Sequence, residues 1–143
     1  MAMQDLETAK RLLKAEGFTC VLCRKERIYT SRERGVTPLV QYLSDAVLLT
    51  GYSAADKVVG KAAAMLFILA GIKAVYAETI SQPALDVLCT AGVEVSYGIL
   101  TERIINRAGT GMCPMEQAVL DIYSPEEAFT AIVKKQRELK TIV

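Results

Sequence analysis

Two lysines four residues apart, Lys57 and Lys61, have the spacing of a binding pair on one face of a helix. Segment 53–56 has the form of a capping box, which predicts a helix from about Ser53 to Ala70. Both ammonium groups would then lie near the positive end of the helix dipole, where cations and like charges are unfavourable. A bound phosphate or carboxylate would offset this repulsion, with Asp56 orienting its polar groups. Two solvated lysines on an exposed face are an equally good interpretation.

The glycine-containing segment 106–116 is a second candidate, because glycines permit positive φ values and so let successive backbone N–H groups converge on an anion. Pro114 fits the first helical position, which places Cys113 at a helix N-terminus where the dipole favours a nucleophilic thiolate. Without a histidine, Glu116 or a lysine would have to serve as the base. A structural turn with an inert cysteine is the alternative, and a binding role is favoured over a nucleophilic one. The residues expected at this site are Asn106, Arg107, Gly109, Gly111, Cys113 and Glu116.

A third candidate lies where a predicted strand meets a predicted helix, at residues 78–83. Ligands of open α/β sheets collect outside the carboxyl ends of parallel strands. Glu78 and Ser81 are therefore predicted pocket residues, although a serine before a helix is more often its N-cap.

Cys20 and Cys23 have the spacing of a redox or metal pair, but their surroundings predict a strand. Residues three apart in a strand point to opposite faces, so these thiols could not share a metal or form a disulfide. A zinc site that added Cys89 and Cys113 would lack the second closely spaced pair such sites have. We therefore expect reduced thiols, as in a cytoplasmic protein, with no metal and no cofactor.

The elements that must position these residues form one predicted domain, 1–143, of the α/β class with a mixed sheet and helices on both faces. A strand, helix and strand over 72–97 predict parallel pairing. The helices are predicted at 3–16, 38–43, 53–70, 83–91, 114–120 and 124–140, and the strands at 18–24, 27–31, 46–50, 72–78 and 93–97.

Composition excludes several classes of function. The 143 residues carry a formal net charge of +1, so no basic excess predicts binding to nucleic acid or to an anionic membrane. The longest uncharged apolar run, 62–72, is too short to span a bilayer and predicts a buried helix. The acidic start of the chain does not resemble a signal peptide. The absence of histidine excludes a zinc–histidine hydrolase or deaminase.

Four segments carry a resemblance to a small uncharacterised prokaryotic family, a domain of unknown function with the cytidine-deaminase-like fold: 55–64, 105–107, 109–111 and 113–116. The resemblance implies a three-layer mixed sheet in the order helix, hairpin, helix, strand, helix, strand. Zinc deaminases of this fold carry H-A-E or C-A-E on the central helix and P-C-x-x-C at the next helix start. This chain has lysines at the first site, and alanine and valine replace the cysteines at 83–87. The resemblance thus implies a pocket that lacks zinc and is relined by Asp56, Lys57 and Lys61.

The sequence therefore predicts a metal-free pocket for a small anionic ligand, such as a nucleotide or related metabolite, formed by residues 56–61 and 106–116. Whether a reaction follows is left open, and a zinc-dependent deaminase is excluded. The alternative is a non-catalytic interaction or regulatory module that forms a homodimer, which the 52% hydrophobic composition favours.

Overall fold

The computed structural model describes residues 2–106 and 108–141. The described helices are α1 (Ala2–Glu16), α2 (Thr37–Ser44), α3 (Lys61–Ala70), α4 (Gln82–Thr90), α5 (Pro114–Ala118) and α6 (Pro125–Thr141). The described strands are β1 (Cys20–Arg24), β2 (Arg27–Ser31), β3 (Ser53–Val59), β4 (Ala74–Ser81) and β5 (Glu94–Thr101).

The strands form one five-stranded mixed sheet in the order β2-β1-β3-β4-β5. β1 is antiparallel to both β2 and β3, whereas β3, β4 and β5 are mutually parallel. The predictions of an α/β protein with a mixed sheet, and of parallel pairing through a helical crossover, are confirmed. The sheet changes from antiparallel to parallel pairing at β3, its central strand.

Helices cover both faces of the sheet. On one face α1 packs Ala9 and Leu13 against Val21, Ala55 and Tyr76. On the other face α3 and α4 contribute to the larger core, which α6 and α2 extend outward from α3. Because α3 has neighbours on nearly every side, most of its residues are buried, as the apolar run at 62–72 predicts.

The predicted helix start at residue 53 is wrong, because 53–59 forms the central strand β3 and the helix begins only at Lys61. Ala54 and Ala55 point to opposite faces and are fully buried. Pairing with β1 and β4 on both sides overrides the high helix propensity of alanine. Asp56 and Lys57 are therefore strand residues.

The predicted strand at 46–50 is also wrong, since this segment forms turns and irregular chain. Ala46 adopts a positive φ of 56°, which breaks the extended conformation. Leu49 reaches the core while Leu48 is 87% exposed. An apolar run of this length can fill a core from a turn as well as from a strand.

The side-chain alternation of the three parallel strands is interrupted along one row of the sheet. Lys57, Glu78 and Gly98 lie beside one another on the three strands, but they are not paired in the register that joins their neighbours. Ala77 and Ile80 consequently face the same core although they are three residues apart. A Cβ at position 98 would lie 2.9 Å from the Glu78 carbonyl oxygen, so this row requires glycine in β5.

Cys20 and Cys23 lie in the two opposite cores, which confirms that neither a shared metal nor a disulfide can join them. Burial raises the pKa of both thiols, and the neighbouring Asp56 adds to the rise at Cys20.

We expect a thiol reagent to modify exposed Cys89 first and partly exposed Cys113 more slowly in the folded protein. Mass spectrometry of labelled peptides would test this order; labelling of Cys20 before unfolding would contradict it.

Candidate functional site

An open cavity of about 590 Å³ lies beyond the carboxyl end of β3, within the size range of small-molecule sites. Most of its lining comes from three parts of the chain: the end of β3 with the start of α3, the loop that joins β2 to α2, and the segment before and within α5. Thr19, just before β1, also lines it. This location follows the rule that ligands of open α/β sheets bind outside the carboxyl ends of parallel strands.

The side chain of Glu116, which is buried, caps the N-terminus of α3. Its carboxylate oxygens accept hydrogen bonds from the backbone N–H groups of Lys61 at 2.6 Å and Ala62 at 2.8 Å. These N–H groups have no partner inside the helix, so the buried carboxylate acts as a cap and complements the helix dipole. The anion that the sequence predicts at this helix terminus is supplied by the chain itself.

Gly60 makes this contact possible. A Cβ at position 60 would lie within about 2.5 Å of the Glu116 carboxyl carbon, closer than real contacts allow. The backbone at Gly60 is otherwise unexceptional, with φ −97° and ψ −178°, which any residue can adopt. The absence of a side chain at this position is therefore required by the close approach of the Glu116 carboxylate.

Lys57 and Lys61 do not share a helical face, contrary to the prediction. Lys57 is exposed on β3 and lines the cavity. Lys61 does not line the cavity. Its Nζ donates to the Leu120 carbonyl at 3.0 Å and lies 3.9 Å from the Tyr123 ring centroid. Burial lowers the pKa of Lys61, and Asp121 and Glu116 partly oppose that effect. Lys61 therefore joins the α5–α6 connection to α3.

Asp56 lies in the inner wall of the cavity and is 6% exposed. Burial raises its pKa to about 8, although hydrogen bonds from the Val58 and Lys57 backbones and from the Cys20 thiol act in the opposite direction. The Val58 N–H lies 3.4 Å from Oδ1. At neutral pH Asp56 is therefore mainly a neutral acid that can donate a hydrogen bond as well as accept one.

Three cationic side chains, Arg32, Arg34 and Lys57, surround the mouth of the cavity. The Arg32 guanidinium is already placed, since it donates to the Glu16 carbonyl at 3.0 Å and stacks 4.3 Å from the Phe18 ring centroid. None of the three forms an ion pair with another described residue. Sequence reasoning missed the two arginines, although the charged run 32–34 before Gly35 was available as a signal.

The apolar part of the lining is formed mainly by Val36, Ile104, Ile105 and Met115, and Cys113 also lines the cavity. Cys113 has the predicted place before α5, but this helix ends at Ala118 rather than at residue 120.

The remaining predicted residues lie elsewhere. Asn106 closes a tight turn, in which its Oδ1 accepts from the Thr110 N–H at 3.0 Å. Ser81 accepts from the Ala84 N–H at 3.2 Å and is the N-cap of α4. Asn106, Gly109, Gly111, Glu78 and Ser81 do not line the cavity, and Arg107 lies outside the described residues.

Across residues 2–106 and 108–141, no group of three or more His, Cys, Asp or Glu side chains is placed to hold a metal ion. Within the same residues, the structure has no helix of the length and hydropathy needed to cross a bilayer.

The fold and the cavity together define an α/β domain with a five-stranded mixed sheet and an open pocket at the carboxyl edge of its parallel strands. Over residues 8–136 the chain matches the family described as TM1506, domain of unknown function (DUF1893), and it belongs to this family. The crystal structure of a DUF1893 family protein (TM1506) from Thermotoga maritima is similar, with a TM-score of 0.86 and 27% sequence identity over 94% of this chain and 92% of that chain. No curated protein matches the chain at a significant level.

Proposed function

We propose that the cavity binds a small organic anion with an apolar body, such as a nucleotide or related metabolite, without a metal. The observation that carries this proposal is the combination of a buried, protonatable Asp56 at the inner end with three cations at the mouth. No described acidic side chain pairs with those cations, so their charge is available to a ligand.

Each part of the cavity suits one part of such a ligand. Arg34 and Lys57 would contact its phosphate or carboxylate, while Arg32 adds positive potential from a fixed position. The apolar wall around Ile104 and Met115 would pack against a ring or chain. Asp56 as a neutral acid would donate to a carbonyl or ring nitrogen and would accept from an amine.

We further propose that the domain has the cytidine-deaminase-like architecture and works in the cytoplasm. The element order helix, hairpin, helix, strand, helix, strand supports the first proposal. Four cysteines without a disulfide framework support the second.

If the pocket supports a reaction, Cys113 is the nucleophile that its lining offers. Unchanged turnover by a Cys113→Ser variant would contradict that role.

Thermal unfolding in the presence of nucleotides, phosphorylated sugars and nucleobases tests the proposal. A ligand at 100 times its Kd should stabilise the fold by about 2.7 kcal/mol, which corresponds to roughly 10 °C for a domain of this size. Lys57→Ala should reduce this shift, whereas Lys73→Ala, an exposed lysine at the amino end of β4, should preserve it. No shift with any compound, or equal losses in the two variants, would count against an anion site at Lys57.

A further inference from the structure

The two edges of the sheet differ in how they are protected. β2 is a short edge of five residues that begins at Arg27 and runs directly into the charged segment 32–34. β5 is an eight-residue edge with only β4 beside it, and 95–101 contains no charge and no proline. Short length and charged side chains are the usual means by which an edge strand avoids pairing. β5 is the longer of the two edges, and most of it is uncharged.

β5 also exposes large apolar side chains. Ile99 is 63% exposed, and Tyr97 and Leu100 are each more than 40% exposed. The Glu94 N–H bonds to the Lys73 carbonyl at 3.2 Å, on the β4 side. Because N–H directions alternate along a strand, Val95 and Tyr97 direct their backbone groups towards the open edge. This edge therefore has both the backbone groups and the apolar surface that strand addition uses.

We propose that β5 pairs antiparallel with β5 of a second copy of this chain, so that two five-stranded sheets join across a two-fold axis. The charges at the strand ends favour this occupant. Glu94 opens the strand, and Glu102 and then Arg103 follow its last residue, Thr101. Neither Glu94 nor Arg103 forms an ion pair within the described residues. Because the alternation is interrupted at Gly98, Tyr97 and Leu100 share one orientation, and antiparallel pairing about the Gly98–Ile99 step sets Tyr97 opposite the partner's Leu100. The same register brings each Glu94 near the partner's Arg103, two residues beyond the end of the strand.

Analytical ultracentrifugation of the purified full chain tests this dimer. We expect a species of twice 15.6 kDa for the wild type. Ile99→Lys places a charge in the paired edge and should raise the dimer dissociation constant at least tenfold. Leu48→Lys is the matched control, because Leu48 is exposed on a turn away from β5 and the dimer should persist. A monomeric wild type, or a dimer that survives Ile99→Lys, would overturn the proposal.

A charge exchange tests the symmetry of the pairing. Glu94→Arg should weaken the dimer because it sets two arginines opposite each other at both ends of the paired strands. The double variant Glu94→Arg/Arg103→Glu restores opposite charges and should regain most of the lost affinity. Circular dichroism of each variant would establish that it is folded. Failure of the double variant to recover association would overturn the two-fold arrangement.

Discussion

Replacing Glu116 by alanine should lower the free energy of unfolding by about 2–4 kcal/mol, which corresponds to a fall of roughly 10 °C in Tm. The reason is that the variant leaves the Lys61 and Ala62 N–H groups without their partner at a buried helix terminus. Urea unfolding followed by circular dichroism measures the change. Glu102→Ala, at an exposed loop position, is the control and should change stability by less than about 0.5 kcal/mol.

Gly60 provides a second test of the same contact. Gly60→Ala should cost about 1–3 kcal/mol in the wild type, because its methyl group would collide with the Glu116 carboxylate. In a Glu116→Ala background the same change should cost less than about 1 kcal/mol, since the collision is gone and the backbone conformation suits alanine. A double-mutant cycle measures this coupling, and additive costs would contradict the contact.

The second large effect concerns pH. Asp56 has a folded-state pKa of about 8, raised above its unfolded value of 3.8, so between pH 4 and pH 8 the folded state holds a proton that the unfolded state has lost. Its contribution to stability is fully present below pH 4 and is lost as the pH rises through 8, by up to about 1.4 kcal/mol per pH unit. Asp56→Asn should remove this slope and be more stable than the wild type at pH 8 by about 2 kcal/mol or more.

Urea unfolding at pH 5, 6, 7 and 8 would measure both slopes. Asp86→Asn, an exposed aspartate on α4, is the matched control and should retain the slope of the wild type. Equal slopes for the wild type and Asp56→Asn would show that Asp56 is ionised in the folded protein at neutral pH. The proposed ligand would then have to donate hydrogen bonds to a buried carboxylate, because an ionised Asp56 could no longer donate one itself.

Elements with a strong local pattern were predicted well from the sequence. The amphipathic α1, the β1–β2 hairpin and the β4–α4–β5 unit have the predicted types, and their bounds differ by a few residues. The strand that the sequence failed to predict is β3. Its sequence, SAADKVV, combines a capping pattern with alanines that favour a helix, and only pairing on both sides makes it a strand. No window of the sequence contains those partners.

The same failure explains the errors at the site. Lys57 and Lys61 were grouped because a helix would align them, but the strand separates them. The role of Glu116 depends on a contact across 55 residues, which no local pattern reveals. The site in segment 106–116 was predicted from glycines, yet the residues of this segment that line the cavity are Cys113, Met115 and Glu116. Arg32 and Arg34 join the cavity only because the hairpin turns their loop towards β3.

The cap on α3 also bears on how the chain matures during synthesis. The ribosome releases Lys61 long before Glu116, and at 5–20 residues per second the interval for 55 residues is about 3–11 s. Throughout that interval a nascent chain can pair β1, β2 and β3 while the N-terminus of α3 is satisfied only by water. The wall of the cavity that holds Cys113 and Met115 arrives with the same segment that brings the cap. Completion of the pocket and sealing of the central helix are thus one late event, and a chain that stops before residue 116 should be stalled with neither.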